Sequence, residues 1–136
     1  MTTDARTVMV VDDDPSVRRG LDRLLRSVGY RVEMFDSARD LLERGQFDRA
    51  GCLVLDVRMP GQTGIDLSEV LRAAGHAIPI VFITGHGDIP MAVRAIKDGA
   101  VDFLTKPFDD EVFLDAIQQA ITRGGRRGDA PLPPAD

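Results

Sequence analysis

Three acidic side chains stand at the ends of two short apolar segments, and they are the residues best suited to chemistry. Residues 8–11 are followed by Asp12 and Asp13, and residues 52–55 are followed by Asp56. Such short apolar runs are typical of strands covered on both faces of a parallel sheet. Ligands bind such sheets at the carboxyl ends of the strands. Taken alone, Asp56 would fit a turn cap better, so the rest of the chain must decide its role.

Two further strand ends would bring a hydroxyl group and a positive charge to the same edge. Thr84 ends the apolar run 80–84, and Lys106 follows residues 103–105. In a doubly wound sheet the first and third strands are neighbours at the point where the strand order reverses. We therefore expect all these polar groups to line one crevice.

Three carboxylates in one crevice require a cation or shared protons. At about 4 Å and an effective dielectric constant of about 20, each like-charged pair costs about 4 kcal/mol. All-oxygen ligands without calcium-loop spacing favour Mg²⁺, and Mn²⁺ is the alternative. With an ammonium group and a hydroxyl nearby, these are parts for phosphoryl transfer to a carboxylate.

The elements that position these residues alternate regularly between strand and helix. The predicted strands are 8–11, 31–35, 52–56, 80–84 and 103–105. Helices are predicted from Asp14 to Gly29, after Ser37, at 65–75, at 88–99 and from Asp109 to near Gly124. Core-facing residues of the first three helices are Val17, Leu21, Leu24, Leu25, Val28, Leu41, Leu42, Ile65, Leu67, Val70 and Leu71. The fold class is α/β: a five-stranded parallel sheet, doubly wound (βα)5, with strand order 2-1-3-4-5.

Composition predicts one globular domain without disulfides. The 136 residues are 43% hydrophobic and 29% charged, and a net charge of −5 argues against binding to a nucleic-acid backbone. We expect a domain at 1–123 and a flexible linker or tail at 124–136, leading toward an output domain outside this chain. Cys52 is predicted to be a small buried hydrophobe. Without a secretory signal or a bilayer-spanning run, we expect a cytoplasmic protein that contacts no membrane.

Four motifs together resemble bacterial two-component response-regulator receiver domains, which have the flavodoxin-like, CheY-like fold. They are residues 11–14, 56–61, 84–85 and 106–108, with the sequences VDDD, DVRMPG, TG and KPF. The resemblance covers about 8–121. Within this family, residues 84–93 and 99–108 most resemble transcriptional regulators of the FixJ/NodW type. The resemblance of these segments to receivers of the NtrC/DctD type is nearly as strong.

The resemblance implies a role for each residue of the site. Asp56 would be the phosphoacceptor, and Asp13 a direct Mg²⁺ ligand. Asp12 would be an acidic partner that contacts the Mg²⁺ ion largely through water. The Arg58 backbone carbonyl would be a further Mg²⁺ ligand. Lys106 would pair with the phosphoryl group. Thr84 and Phe103 would be the switch residues, and the bond between Lys106 and Pro107 would be the family's cis peptide.

Two positions limit what carries over from the family. Phe103 stands where tyrosine is commoner, so an inward rotation would make no hydroxyl hydrogen bond. The Arg58 side chain would lie at the mouth of the site and tune the lifetime of the phosphoryl group, in a direction that the sequence leaves open.

The implied function is a phosphorylatable switch that catalyses only its own phosphorylation and dephosphorylation. A sensor histidine kinase would supply the phosphoryl group. The face made by the fourth helix, fifth strand and fifth helix would then change and form a homodimer. DNA would be contacted only through an output domain, with transcription as the expected output.

Other functions fit the same residues less well. A stand-alone or NtrC-type receiver and a non-phosphorylated interaction module remain alternatives. A phosphatase of the haloacid-dehalogenase kind uses Asp-x-Asp, and Arg58 replaces its second acid. A flavodoxin-like electron carrier would need a neutral phosphate loop where this chain has acids at 12–14.

Overall fold

Five parallel strands form one sheet in the order β2-β1-β3-β4-β5, as the sequence predicted. The computed structural model describes residues 6–47, 50–57, 63–84, 102–106 and 108–126. The strands are β1 (Thr7–Val11), β2 (Arg31–Phe35), β3 (Cys52–Asp56), β4 (Ile80–Thr84) and β5 (Asp102–Thr105). The helices in these ranges are α1 (Pro15–Ser27), α2 (Ala38–Arg44), α3 (Gly64–Ala73) and α4 (Asp110–Arg126). The helix predicted at 88–99 lies outside the described residues, so α4 is the fifth helix of the prediction.

The strand register brings the predicted chemical residues to the same edge. Val11 of β1 is level with Leu55 of β3, so Asp12 follows β1 where Asp56 ends β3. Asp56 is level with Ile83 of β4. Because all strands are parallel, their carboxyl ends form one edge of the sheet.

Alternate strand residues build two apolar layers, one on each face of the sheet. Side chains of β1 and β3 divide between the layers because successive side chains of a strand point to opposite faces. One layer packs against α2 and α3 and includes Met9, Val11, Leu41, Leu53, Leu55, Ile65, Leu67 and Leu71. The other packs against α1 and α4 and includes Val8, Val10, Leu21, Leu25, Cys52, Val54, Phe113 and Ile117. The doubly wound arrangement is confirmed.

Side-chain caps start three of the helices. Asp14 caps α1 by accepting the Ser16 N–H, as predicted. Hydrogen bonds from the Ser16 hydroxyl and from the Ser16 N–H lower the pKa of Asp14. Ser37 caps α2 through the Asp40 N–H, also as predicted. Thr63 caps α3, which allows that helix to begin at Gly64. Caps fix where a helix starts because they satisfy backbone donors that lack an intrahelical partner.

Three predicted core positions are wrong, because Val28, Leu42 and Val70 are exposed. Val28 is the C-cap of α1, where the backbone has left helical geometry and the helical spacing no longer applies. Leu42 and Val70 are sequence neighbours of the buried Leu41 and Leu71. Successive helical residues point about 100° apart, so both members of such a pair cannot occupy the centre of a buried face.

The last helix extends two residues beyond its predicted end near Gly124, to Arg126. Glycine lowers helix propensity by about 1 kcal/mol without forbidding the helix. No helix in the described part of the chain is long and apolar enough to cross a bilayer.

Arginines from both faces of the sheet cap the outer edge of β2. Arg26 of α1 donates to the Val32 carbonyl at 3.2 Å, and Arg44 of α2 donates to the Met34 carbonyl at 3.1 Å. β2 is an edge strand, and unpaired edge carbonyls invite pairing with another chain. The two guanidinium groups occupy these acceptors.

Candidate metal centre

Asp12, Asp13 and Asp56 converge at the carboxyl ends of β1 and β3, as predicted. One carboxylate oxygen of each residue lies within 4.8 Å of those of the other two. Asp12 and Asp56 are buried, with 0% and 5% of their surface exposed, whereas Asp13 is exposed. The site is therefore a largely buried carboxylate pair with a third carboxylate facing solvent.

Asp12 is held through both its side chain and its backbone. Its Oδ1 accepts the Asp14 N–H at 2.9 Å, and its Oδ2 accepts Lys106 Nζ at 3.0 Å. Its backbone N–H donates to the Phe35 carbonyl at 3.2 Å. Its backbone carbonyl accepts Nη1 of Arg18 at 2.6 Å. These four contacts fix Asp12 against β2, α1 and the end of β5.

Lys106 supplies a positive charge inside the site. Its Nζ lies 3.0 Å from Oδ2 of Asp12 and 3.9 Å from Oδ2 of Asp56, and 23% of its side chain is exposed. Its backbone N–H donates to the Thr84 carbonyl at 2.6 Å, which ties the ends of β4 and β5 together. Its ammonium group thus lies beside two of the three carboxylates.

The end of β3 is held between β4 and α3, and this fixes Asp56. The Val57 N–H donates to the Ile83 carbonyl at 2.8 Å, and the Gly64 N–H donates to the Val57 carbonyl at 2.8 Å. A Cβ atom at position 64 would overlap the Asp56 carbonyl oxygen. Glycine at 64 therefore permits α3 to start close against the backbone of the predicted acceptor.

Thr84 and Phe103 lie on the adjacent strands β4 and β5. Thr84 is fully buried at the end of β4. The Phe103 side chain is half-buried, and its ring centroid lies 6.5 Å from that of Phe82. Arg58 and Pro107 lie outside the described residues. Their predicted roles, and those of the other site residues, stay predictions.

The donor set fits a hard divalent cation. The three residues offer carboxylate oxygens only, and the exposed Asp13 leaves one side of the cluster open to solvent. Mg²⁺ is bound by one or two carboxylates together with water and phosphate oxygens, which this arrangement accommodates. Asp12, Asp13 and Asp56 could hold such an ion.

Arg18 touches this site although the sequence interpretation did not include it. It lies in the first turns of α1, and α1 has no acidic residue in its first turn. A cation near a helix N-terminus is disfavoured by the helix dipole. That placement is the signal in the sequence that could have directed attention to Arg18.

Known proteins share both the sequence and this geometry. Nodulation protein W of Bradyrhizobium diazoefficiens is 54% identical over 123 residues, covering 90% of this chain and 54% of that protein. The transcriptional regulatory protein FixJ of the same species is 46% identical over 121 residues, covering 89% of this chain and 58% of FixJ. The chain thus spans about half the length of these relatives.

A solved structure and a family model agree with these relatives. The crystal structure of FixJ-N superposes with a TM-score of 0.79 at 42% identity, covering 93% of this chain and 97% of FixJ-N. The model of the response regulator receiver domain matches residues 8–118. The predicted resemblance is confirmed, and the chain belongs to the receiver-domain family of two-component response regulators.

Proposed function

We propose that this chain accepts a phosphoryl group on the Asp56 carboxylate and that phosphorylation switches an output activity. The observation that carries the proposal is the environment of that carboxylate. Asp56 is buried at a strand end with Asp12 and Asp13 within 4.8 Å, and Lys106 Nζ lies 3.9 Å from its Oδ2. This is a fixed nucleophile beside an ammonium group and two acids that would hold a cation, and the ammonium and the cation would stabilise phosphoryl charge.

The transfer joins an Asp56 oxygen to phosphorus and breaks the bond from phosphorus to the donor. With a sensor histidine kinase, the phosphorus–nitrogen bond of phosphohistidine breaks and the imidazole keeps the electron pair and takes up a proton. Water later hydrolyses the acyl phosphate, returning the carboxylate and releasing inorganic phosphate. Mg²⁺ or Mn²⁺, held by Asp12, Asp13, Asp56 and the Arg58 carbonyl, would neutralise charge on the phosphoryl oxygens.

Lys106 and Thr84 would respond to the new charge by moving, and this movement would change the structure of the rest of the domain. A phosphoryl group adds about −1.5 to −2 charges, which favours movement of the Lys106 ammonium from Asp12 toward its oxygens. The Lys106 N–H already bonds to the Thr84 carbonyl, so the two residues share one backbone connection. Phe103 would follow Thr84, and the face of the predicted fourth helix, β5 and α4 would form a homodimer.

The output would be control of transcription through a domain outside this chain. FixJ, which is similar over 121 residues, is a transcriptional regulatory protein. In this proposal residues 1–123 are the receiver and residues 124–136 lead to a DNA-contacting output domain. The sensor kinase is the phosphodonor partner, and the location is cytoplasmic.

Intact-mass measurement after incubation with acetyl phosphate and Mg²⁺ tests the acceptor. We expect one added phosphoryl group, lost in Asp56→Asn and absent when EDTA removes the metal. Asp14→Asn is the matched control, because it removes a neighbouring acid while retaining a good helix cap. An adduct that persists in Asp56→Asn, or no adduct in the unmodified protein, would contradict the proposal and favour an interaction module.

A further inference from the structure

We infer that Arg18 is a positioning residue that fixes the peptide joining Asp12 to Asp13 and thereby sets the divalent-cation affinity of the site. The inference rests on the proposed function, since it assigns a residue to the same metal centre. It concerns a side chain that would touch neither the metal nor the phosphoryl group.

The contact is short and acts on the backbone between two acids. Nη1 of Arg18 donates to the Asp12 carbonyl oxygen at 2.6 Å in a part-buried position. That carbonyl belongs to the planar peptide group that connects Asp12 to Asp13. Holding the oxygen therefore holds the plane of this peptide, and with it the direction in which the chain leaves β1.

The position of the Asp13 carboxylate depends more on the Arg18 hydrogen bond to the backbone than the position of the Asp12 carboxylate does. The Asp12 carboxylate has its own partners, the Asp14 N–H and Lys106 Nζ. In the ranges that the structure describes, the Asp13 carboxylate has no hydrogen bond or ion pair. The backbone that Arg18 holds therefore sets where the Asp13 side chain starts, and with it the range within which its carboxylate can approach the other two.

The guanidinium group lies where other interactions also favour it. The hydrogen bond from Arg44 lowers the pKa of Asp40 at the start of α2, and the charge of Arg18 adds a smaller contribution in the same direction. The N-terminal end of α1 disfavours a cation. The hydrogen bond to the Asp12 carbonyl offsets that cost and keeps the guanidinium group against the β1–α1 turn.

Loss of Arg18 would have two opposite effects on cation binding. Removing a positive charge near the acids would strengthen binding of a cation. Releasing the peptide would weaken binding, because Asp13 would no longer be held near Asp12 and Asp56. Residues that orient metal ligands typically change affinity by about 10-fold to 100-fold when replaced, so we expect positioning to outweigh charge.

Calorimetric titration with Mg²⁺ separates the two effects. We expect Arg18→Met to bind Mg²⁺ about 10-fold more weakly than the unmodified protein. Arg18→Lys keeps a donor and the charge, and should recover part of the loss. Arg19→Met is the matched control, since Arg19 is its exposed neighbour on α1 and removal of its charge should leave affinity equal or slightly higher.

The Asp13 amide provides a second measurement that does not depend on activity. In metal-free protein, its NMR chemical shift should change in Arg18→Met, return toward the original value in Arg18→Lys, and stay constant in Arg19→Met. Thermal unfolding in EDTA checks that the variants are folded. If Arg18→Met is too unstable, Arg18→Gln removes the same charge and is judged by the same criteria.

The outcomes distinguish this inference from the proposed function. An Arg18→Met affinity equal to or above that of the unmodified protein means that the positioning effect does not outweigh the charge effect, and overturns the inference alone. Mg²⁺ binding that is unaffected by Asp13→Asn overturns the metal centre and the inference with it. An unmodified protein that binds no Mg²⁺ also overturns both.

Discussion

At the scale of single residues, Asp12 shows how a buried acid is made tolerable. Its carboxylate is fully buried, and an isolated buried charge would be strongly destabilising. One oxygen receives a backbone N–H and the other receives the Lys106 ammonium group. Breaking such a pair leaves an uncompensated charge, so Asp12 and Lys106 are coupled and substitutions at the two positions should not be additive.

Cys52 offers a residue-scale prediction about reactivity. Burial raises the pKa of its thiol to about 12, so the thiolate needed for alkylation is scarce in the folded protein. Iodoacetamide labelling at pH 8, followed by mass, should be at least about 1,000-fold slower in the native than in the urea-unfolded protein, because only the unfolded fraction reacts. Similar rates in the two states would contradict the buried placement.

The same thiol makes stability depend on pH in a defined direction. Its ordinary pKa is 9.0 and its folded pKa is about 12, so the unfolded chain loses the proton first. This contribution to the free energy of unfolding is complete below pH 9 and decreases as pH rises toward 12. The free energy of unfolding, measured by urea titration, should therefore decrease less between pH 9 and pH 12 in Cys52→Ala than in the unmodified protein.

The site acids could be predicted from the sequence, whereas the backbone carbonyl that Arg18 contacts could not. Each of these residues follows an apolar run: Asp12, Asp13, Asp56 and Lys106. Parallel pairing of the strands brings such positions together independently of the conformation of the connecting loops. Arg18 reaches back from a helix to a backbone carbonyl, and no spacing of residue types reports which carbonyl it will meet.

At the scale of elements, strands were easier to predict than helix faces. The apolar runs give strand positions within one residue, since burial on both faces leaves no choice of side. Helix faces depend on the direction of each side chain. Leu42 and Val70 therefore turned outward although their neighbours are buried.

The junction of β3 and α3 gives an element-scale prediction. A Cβ at position 64 would overlap the Asp56 backbone, so Gly64→Ala should lower the free energy of unfolding by about 1–3 kcal/mol. Gly20 in α1 has no heavy atom within 4 Å of an added Cβ. Gly20→Ala should therefore raise the free energy of unfolding by about 0.5–1 kcal/mol, through helix propensity alone.

Urea unfolding of the two alanine variants measures this contrast directly. Equal effects at the two positions would mean that α3 does not press against β3. Gly64→Ala should also reduce phosphoryl uptake from acetyl phosphate because its strain displaces Asp56, whereas Gly20→Ala should leave uptake unchanged.

At the scale of the whole molecule, one edge of the sheet brings three acidic residues together. The chain has a net charge of −5, and three of its acids meet within 4.8 Å beside one lysine. Repulsion among these acids opposes folding, while the apolar layers on both faces of the sheet favour it. A bound divalent cation would convert this repulsion into attraction.

Global stability should therefore depend on Mg²⁺ through this one site. At a Mg²⁺ concentration about 100 times the dissociation constant, binding only to the folded state adds about 2.7 kcal/mol to the free energy of unfolding. Thermal unfolding followed by circular dichroism should show a higher midpoint with Mg²⁺ for the unmodified protein and no shift for Asp13→Asn. In EDTA the order should reverse, because Asp13→Asn relieves repulsion. Asp115→Asn, the same charge change at an exposed position on α4, should respond to Mg²⁺ like the unmodified protein; loss of its response would place the effect outside the acid cluster.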